Sequence, residues 1–116
     1  MRYRKLRVQD LLREEISSII HKDMRDPGIG FVTILEVKMS EDLKNAKIYC
    51  SVYGSDEEKK KTLEALRRSK SYIRFLIGQR LTLRYTPEIN FVLDDAFERV
   101  VRIEEILKKE EHARED

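Results

Sequence analysis

Two places in this 116-residue chain carry adjacent carboxylates, Asp94-Asp95 and Glu104-Glu105, the raw material of general acid–base or metal chemistry. Neighbouring positions on a helix do not face each other, so neither pair forms a shared site alone. A helix N-cap accounts for the first pair and a charged outer face for the second. His21 with Asp23 sits at a helix end, where a histidine complements the helix dipole. His21, His112 and the one cysteine, Cys50, are too few and too far apart for a closed metal centre. A phosphate loop, a nucleophile elbow and a metal-spaced histidine pair are all missing from the sequence. The residues point away from catalysis and ask for no metal, cofactor or small-molecule substrate.

The cations point elsewhere. Net charge is only +2, from 24 Lys and Arg against 22 Asp and Glu. Yet residues 59–84 hold Lys59, Lys60, Lys61, Arg67, Arg68, Lys70, Arg74, Arg80 and Arg84 against Glu64 alone. A merely solvated helix interleaves acids at i,i+4, and this stretch does not. Such density attracts polyanions by counterion release. Arg2, Arg4, Lys5 and Arg7 form a second basic group, read as an arm ahead of the first helix. The flanking segments, 26–58 and 85–116, are acidic.

Hydrophobic residues make up 41% and charged ones 40% of the chain, against a usual charged share of ~25%. An apolar fraction of that size with near-zero net charge argues against disorder. No apolar run has the ~18 residues a membrane span needs, and no signal peptide is evident, so the expectation is a cytoplasmic protein. The only side-chain amides are Gln9, Gln79, Asn45 and Asn90, a composition suggestive of heat adaptation.

Apolar spacing supplies the elements that must carry the cations. Val8, Leu11, Leu12, Ile16, Ile19 and Ile20 predict a helix over 8–24, stopped by Asp26-Pro27-Gly28. Residues 31–39 alternate, with Phe31, Thr33, Leu35, Val37 and Met39 on one side and Val32, Ile34, Glu36 and Lys38 on the other. Residues 46–53 alternate with Ala46, Ile48, Cys50 and Val52 on the apolar side, so Cys50 reads as a buried, inert thiol. A helix follows Ser55, with Leu63, Leu66, Ile73, Leu76, Ile77 and Leu81 inward. Its apolar stripe breaks at Ser69, Lys70 and Ser71, which predicts a kink. Pro87 ends it, residues 88–93 form a short strand, and Phe97, Val100, Ile103, Ile106 and Leu107 mark a last helix. The order is α-β-β-α-kink-α-β-α: an α+β fold with a three-stranded mixed sheet and helices on one face. Residues 1–109 form one domain, 110–116 a frayed polar tail, and a monomer is expected.

That order is similar to the type II KH domain. Asp26-Pro27, Gly30-Phe31-Val32-Thr33 and Val37-Lys38-Met39-Ser40-Glu41-Asp42-Leu43 resemble the ribosome-binding factor A family, as do Ala46-Lys47-Ile48-Tyr49 and Gly78-Gln79-Arg80-Leu81-Thr82-Leu83-Arg84-Tyr85-Thr86-Pro87-Glu88. Phe91-Val92-Leu93-Asp94-Asp95 and Arg102-Ile103-Glu104-Glu105-Ile106-Leu107 extend the likeness, which runs from about residue 6 to 107. The resemblance implies a bacterial, non-catalytic factor without cofactor that binds the free small (30S) ribosomal subunit and its 16S rRNA. It would assist late maturation, including 5′-end processing, above all in the cold. The family usually has Ala-x-Gly at the kink, where this chain has Ser69-Lys70-Ser71.

KH domains clamp a nucleotide backbone with a G-x-x-G loop, and Gly28, Gly30, Gly54 and Gly78 do not provide one. Charge and shape are left. The expected RNA-binding residues are Arg67, Arg68, Lys70 and Arg74 around the kink, Arg80 and Arg84 beyond it, and Arg4, Lys5 and Arg7 at the start. Arginine leads because its planar fork meets two phosphate oxygens at once. Tyr85 either stacks on a base or packs at the strand entry. Tyr49 and Tyr53 either stack or cover the outer sheet face. The rival reading is a protein–protein adapter that works through the acidic segments.

Overall fold

The computed structural model describes residues 2–24, 26–94 and 107. The first helix, α1, runs Arg2–Ser18 and closes in one wide π-turn, Ile19–Asp23. It starts six residues earlier than the apolar spacing suggests, so Arg4, Lys5 and Arg7 lie inside a helix rather than on an arm. The reason is propensity: the Arg, Lys and Leu residues of this segment are good helix formers, and no breaker separates them from Val8. Leu12, Ile16, Ile19 and Ile20 point into the core, while Leu11 stays at the margin of the stripe.

Strand β1 (Phe31–Met39) pairs antiparallel with β2 (Asn45–Tyr53), and β2 pairs parallel with β3 (Glu88–Leu93), giving the sheet order β1-β2-β3. On β2, Ala46, Ile48, Cys50 and Val52 are all buried, as the alternation predicts. On β1 the expected faces are wrong. Val32 and Ile34 point inward together with Val37 and Met39, while Phe31 and Thr33 face out. A β-bulge is the cause: Ile34 pairs with Cys50 and Glu36 with Tyr49, which leaves Leu35 as an extra residue without a partner. One inserted residue shifts the period-2 pattern by one, so both halves of the strand bury their own apolar set.

Helix α2 (Asp56–Arg68) opens with a capping box in which the Glu58 amide donates to Ser55 Oγ at 3.2 Å and the Glu58 carboxylate accepts from the Ser55 amide. Two orphan amides are thereby satisfied at once. Helix α2 ends at Ser69 and α3 (Lys70–Arg80) begins one residue later, so the chain breaks its helix where the apolar stripe breaks. Ser69 has φ −93° and ψ 2°, and its hydroxyl donates to the Ala65 carbonyl at 2.9 Å. The Ser69 amide donates to the same carbonyl at 3.2 Å, so the serine bonds back twice onto the last turn of α2.

Among the described residues the helices α1, α2 and α3 pack on one face of the sheet, around Leu12, Ile16, Ile48, Leu66, Ile73 and Ile77, each fully buried. No described element covers the other face, where Phe31 and Tyr53 sit opposite each other and are about four-fifths exposed, at 81% and 78%. Tyr49 on that face carries the Lys38 ammonium 5.5 Å above its ring. Thr62 is buried and stitches the loop before β1 to α2, accepting from the Gly30 amide at 3.1 Å and donating to the Gly28 carbonyl at 3.4 Å. The helix expected after β3 lies outside the described residues, apart from Leu107, which is helical and exposed.

Candidate nucleic-acid interface

Four of the expected cations flank the break at Ser69, and they are not equivalent. Arg67, on the last turn of α2, is exposed and has no carboxylate partner among the described residues. Arg68 stands 3.6 Å from Asp26, whose other carboxylate oxygen accepts from the Gly28 amide at 2.8 Å. The Arg68 side of that pair is largely open to solvent, so it holds the loop weakly and leaves the guanidinium available. The Lys70 ammonium donates to Asn90 Oδ1 at 2.9 Å, which ties the first turn of α3 to β3. Ser71, the last of the kink residues, is exposed.

Arg74 has a different role. Its Nε donates to the Pro87 carbonyl at 3.0 Å and its Nη2 to the Thr86 carbonyl at 3.2 Å, while Nη1 lies 3.3 Å from Glu88. Only 34% of the side chain is exposed. The fork is filled by the segment that leads into β3, so Arg74 positions that segment. Gly78, one turn further along α3, lets the same segment come close, since a Cβ there would sit 3.2 Å from Thr86 Oγ1. Arg80 is also anchored internally. Its Nη1 donates to Asp23 at 2.8 Å and to Glu15 at 3.2 Å, locking the end of α3 to α1 and its π-turn. The hydrogen bond from Arg80 holds the Asp23 carboxyl below its usual range, and the two carboxylates push the Arg80 guanidinium further up.

Arg4, Arg7 and Arg84 meet at the far end of the sheet. The Met39 amide donates to Gln9 Oε1 at 2.9 Å, and Lys5 donates to Glu41 at 2.7 Å, so α1 is clamped to the β1–β2 hairpin. The Glu88 amide donates to the Lys44 carbonyl at 2.8 Å, bringing the segment before β3 to the same hairpin. Between these three segments lies a groove of about 380 Å³ whose lining includes Arg4, Arg7, Leu11, Leu43, Leu83 and Tyr85. Lys44 sits 5.0 Å and the Arg84 guanidinium 5.4 Å from the centre of the Tyr85 ring. Lys5 is spent on Glu41, whose carboxyl its hydrogen bond holds low.

The expected cations therefore form two open groups, Arg67 with Arg68 at the helix break and Arg4, Arg7 and Arg84 at the groove. They are joined by a scaffold in which Arg74 and Arg80 are fixed. The charge pattern does not single out Lys44, because it stands in an acidic segment of the sequence. Among the described residues no cluster of three or more His, Cys, Asp or Glu side chains is placed to hold a metal. Nor is any described helix long and apolar enough to cross a membrane.

A bent helix pair over a mixed three-stranded sheet, led in by a further helix and hairpin, defines a single type II KH-like domain of the α+β class. Residues 4–107 match the family model of ribosome-binding factor A. Ribosome-binding factor A of Halothermothrix orenii is 48% identical over 108 residues, covering 93% of this chain and 88% of that protein. The solution structure of a Thermotoga maritima putative ribosome binding factor A superimposes with a TM-score of 0.70 at 35% identity, over 78% of this chain and 86% of that one. A Thermus thermophilus ribosome binding factor A homology model, fitted into the cryo-electron-microscopy map of a 30S complex, shares the fold. Its TM-score is 0.62 at 22% identity, over 75% of this chain and 91% of that one. The chain belongs to the ribosome-binding factor A family.

Proposed function

We propose that this chain binds the free small ribosomal subunit by setting its helix break and groove cations against folded 16S rRNA. There it assists late maturation, including 5′-end processing, and it does so without catalysis or a cofactor. Support for the reading comes from family membership over residues 4–107 and from the arrangement of the cations. A relative is named for ribosome binding, and a structural neighbour was fitted into a map of a 30S complex. The observation that carries the proposal is the pair of open groups, Arg67 with Arg68 and Arg4 with Arg7 and Arg84, held apart at fixed spacing by two anchored arginines. Cations on a rigid frame contact phosphates at set distances, which selects a folded RNA by shape without reading bases. Lys70, already hydrogen-bonded to Asn90, contributes charge more than contact.

Cosedimentation with free small subunits and with whole ribosomes tests the proposal. Binding to the free subunit should weaken by orders of magnitude between ~50 and ~200 mM salt, since several phosphate contacts release that many counterions. The combined variant Arg67→Glu and Arg84→Glu should lose binding with the fold intact. Binding that ignores both salt and this variant would move the function to a protein–protein adapter.

A further inference from the structure

The groove at the end of the sheet has a chemistry that the helix break lacks. Its floor is apolar, built from Leu11, Leu43 and Leu83 with Val8 and Met39, and one wall is the Tyr85 ring. Arg4, Arg7 and Arg84 stand at its rim and have no carboxylate partner among the described residues. The two acids of the rim are engaged by their own neighbours. Glu41 is held by Lys5 at 2.7 Å, while Asp42 accepts from Ser40 Oγ at 2.6 Å and from the Lys44 amide at 3.1 Å. Leu43 is presented to the floor from a left-handed backbone, φ 61°, a conformation that non-glycine residues rarely take. Such positions persist where the surroundings over-determine them, at ligand clamps among other places.

From these features we infer that the groove is a pocket for a single unpaired nucleotide, its base against Tyr85 and the leucine floor and its phosphate on the rim arginines. The inference rests on the RNA reading above and deepens it, because it adds capture of a splayed base to recognition of folded shape. A volume of about 380 Å³ suits one nucleotide, at the small end of the ~300–1,000 Å³ of ligand pockets. Lys44 and Arg84 stand over the Tyr85 ring in a cation–π arrangement, so an entering base takes the place of the Arg84 guanidinium on the ring and releases it to the phosphate. Helix α1 is clamped to the hairpin through Gln9 and Lys5, so the two sides of the pocket are set before any ligand arrives. A duplex cannot use such a site, since its bases are stacked and paired.

Methyl NMR of the leucine-labelled chain is the test, with a mixed-sequence single-stranded hexaribonucleotide and a blunt RNA duplex of equal length as probes. The methyls of Leu11, Leu43 and Leu83 should shift with the single strand and stay still with the duplex. Tyr85→Ala should weaken hexanucleotide binding about tenfold, in keeping with the loss of one base–aromatic stack. Tyr85→Phe should retain it, which separates stacking from any defect in folding. Arg7→Ala should reduce the salt slope by about 0.7, the share of one phosphate in a single strand. Methyls that are silent, or that answer the duplex equally, while cosedimentation with small subunits persists, would overturn the pocket and leave the broader interface standing. Loss of both would remove the interface reading as well. Shifts evoked by RNA-free ribosomal proteins instead of the oligonucleotide would assign the groove to a protein side chain, and that too overturns the inference.

Discussion

Arg67 and Arg74 stand two turns apart along the bent helix pair, carry the same charge, and should fail in opposite ways when cut to alanine. Arg74 gives two hydrogen bonds to the backbone carbonyls of Thr86 and Pro87, and bonds from a charged donor are worth ~1.5–3 kcal/mol each. With a third of the side chain in water, solvent takes over part of that, and the exposed pair with Glu88 adds at most ~1 kcal/mol. Arg74→Ala should therefore cost about 2–3 kcal/mol. In a domain of this size that lowers the unfolding midpoint by about 10 °C. Arg67 touches no carboxylate among the described residues, so Arg67→Ala should change stability by less than ~0.5 kcal/mol and flatten the salt dependence of subunit binding by about one phosphate. Thermal unfolding by circular dichroism and cosedimentation across a salt series read the two effects separately. An Arg74→Ala protein that melts within about 2 °C of the parent but no longer binds would show that Arg74 meets RNA directly, and the division into anchors and contacts would be wrong.

Thr62→Val keeps the shape of a buried side chain but strips the Gly30 amide of its acceptor; a loss of ~1–3 kcal/mol in urea unfolding is expected, and no loss would mean the amide finds another partner. Asp23 is held below its ordinary value of 3.8 by Arg80, so its contribution is full above that value and disappears as pH falls through the depressed folded-state value. The acid limb of the stability curve below about pH 4 should thus be shallower in Asp23→Asn, with Glu41 and Asp42, also held low, supplying what remains; identical limbs would refute the linkage. Burial pushes the Cys50 thiol up to about 11, so an aromatic disulfide reagent at about pH 8 should leave the folded chain untouched and label it fast in guanidinium. Labelling of folded protein at the unfolded rate would contradict the packing of β2 against the helices.

Local patterns foretold what local patterns can hold. The inward set of β2, the stop at Pro27 and the break at Ser69 each follow from a handful of consecutive residues, and each is where the sequence puts it. The faces of β1 were not legible, because strict alternation has no mark for a residue that leaves the ladder. The start of α1 was hidden for a related reason: a charged, helix-favouring segment looks the same to a hydrophobic pattern whether coiled or helical. At the site, the charges were visible and their partners were not. Arg80 meets Glu15 across 65 residues and Asp23 across 57, and Arg74 spends its fork on backbone carbonyls, which carry no residue signature at all. Lys44 gains its place beside Tyr85 only when the hairpin closes on the segment before β3.

The unpaired Leu35 has a consequence for how this family member can change. Between Ile34 and Val37 the strand keeps count: draw Leu35 into the ladder as an ordinary strand residue, and Val37 and Met39 turn to water while Glu36 and Lys38 turn toward the helices. The hairpin would rotate with them, and Leu43 and Lys44 would leave the mouth they share with α1. Many side chains can stand at position 35, since nothing opposes it across the ladder, and its removal would leave Ile34 and Glu36 as neighbours with the faces on either side unchanged. What must hold is that this residue stays out of the pairing.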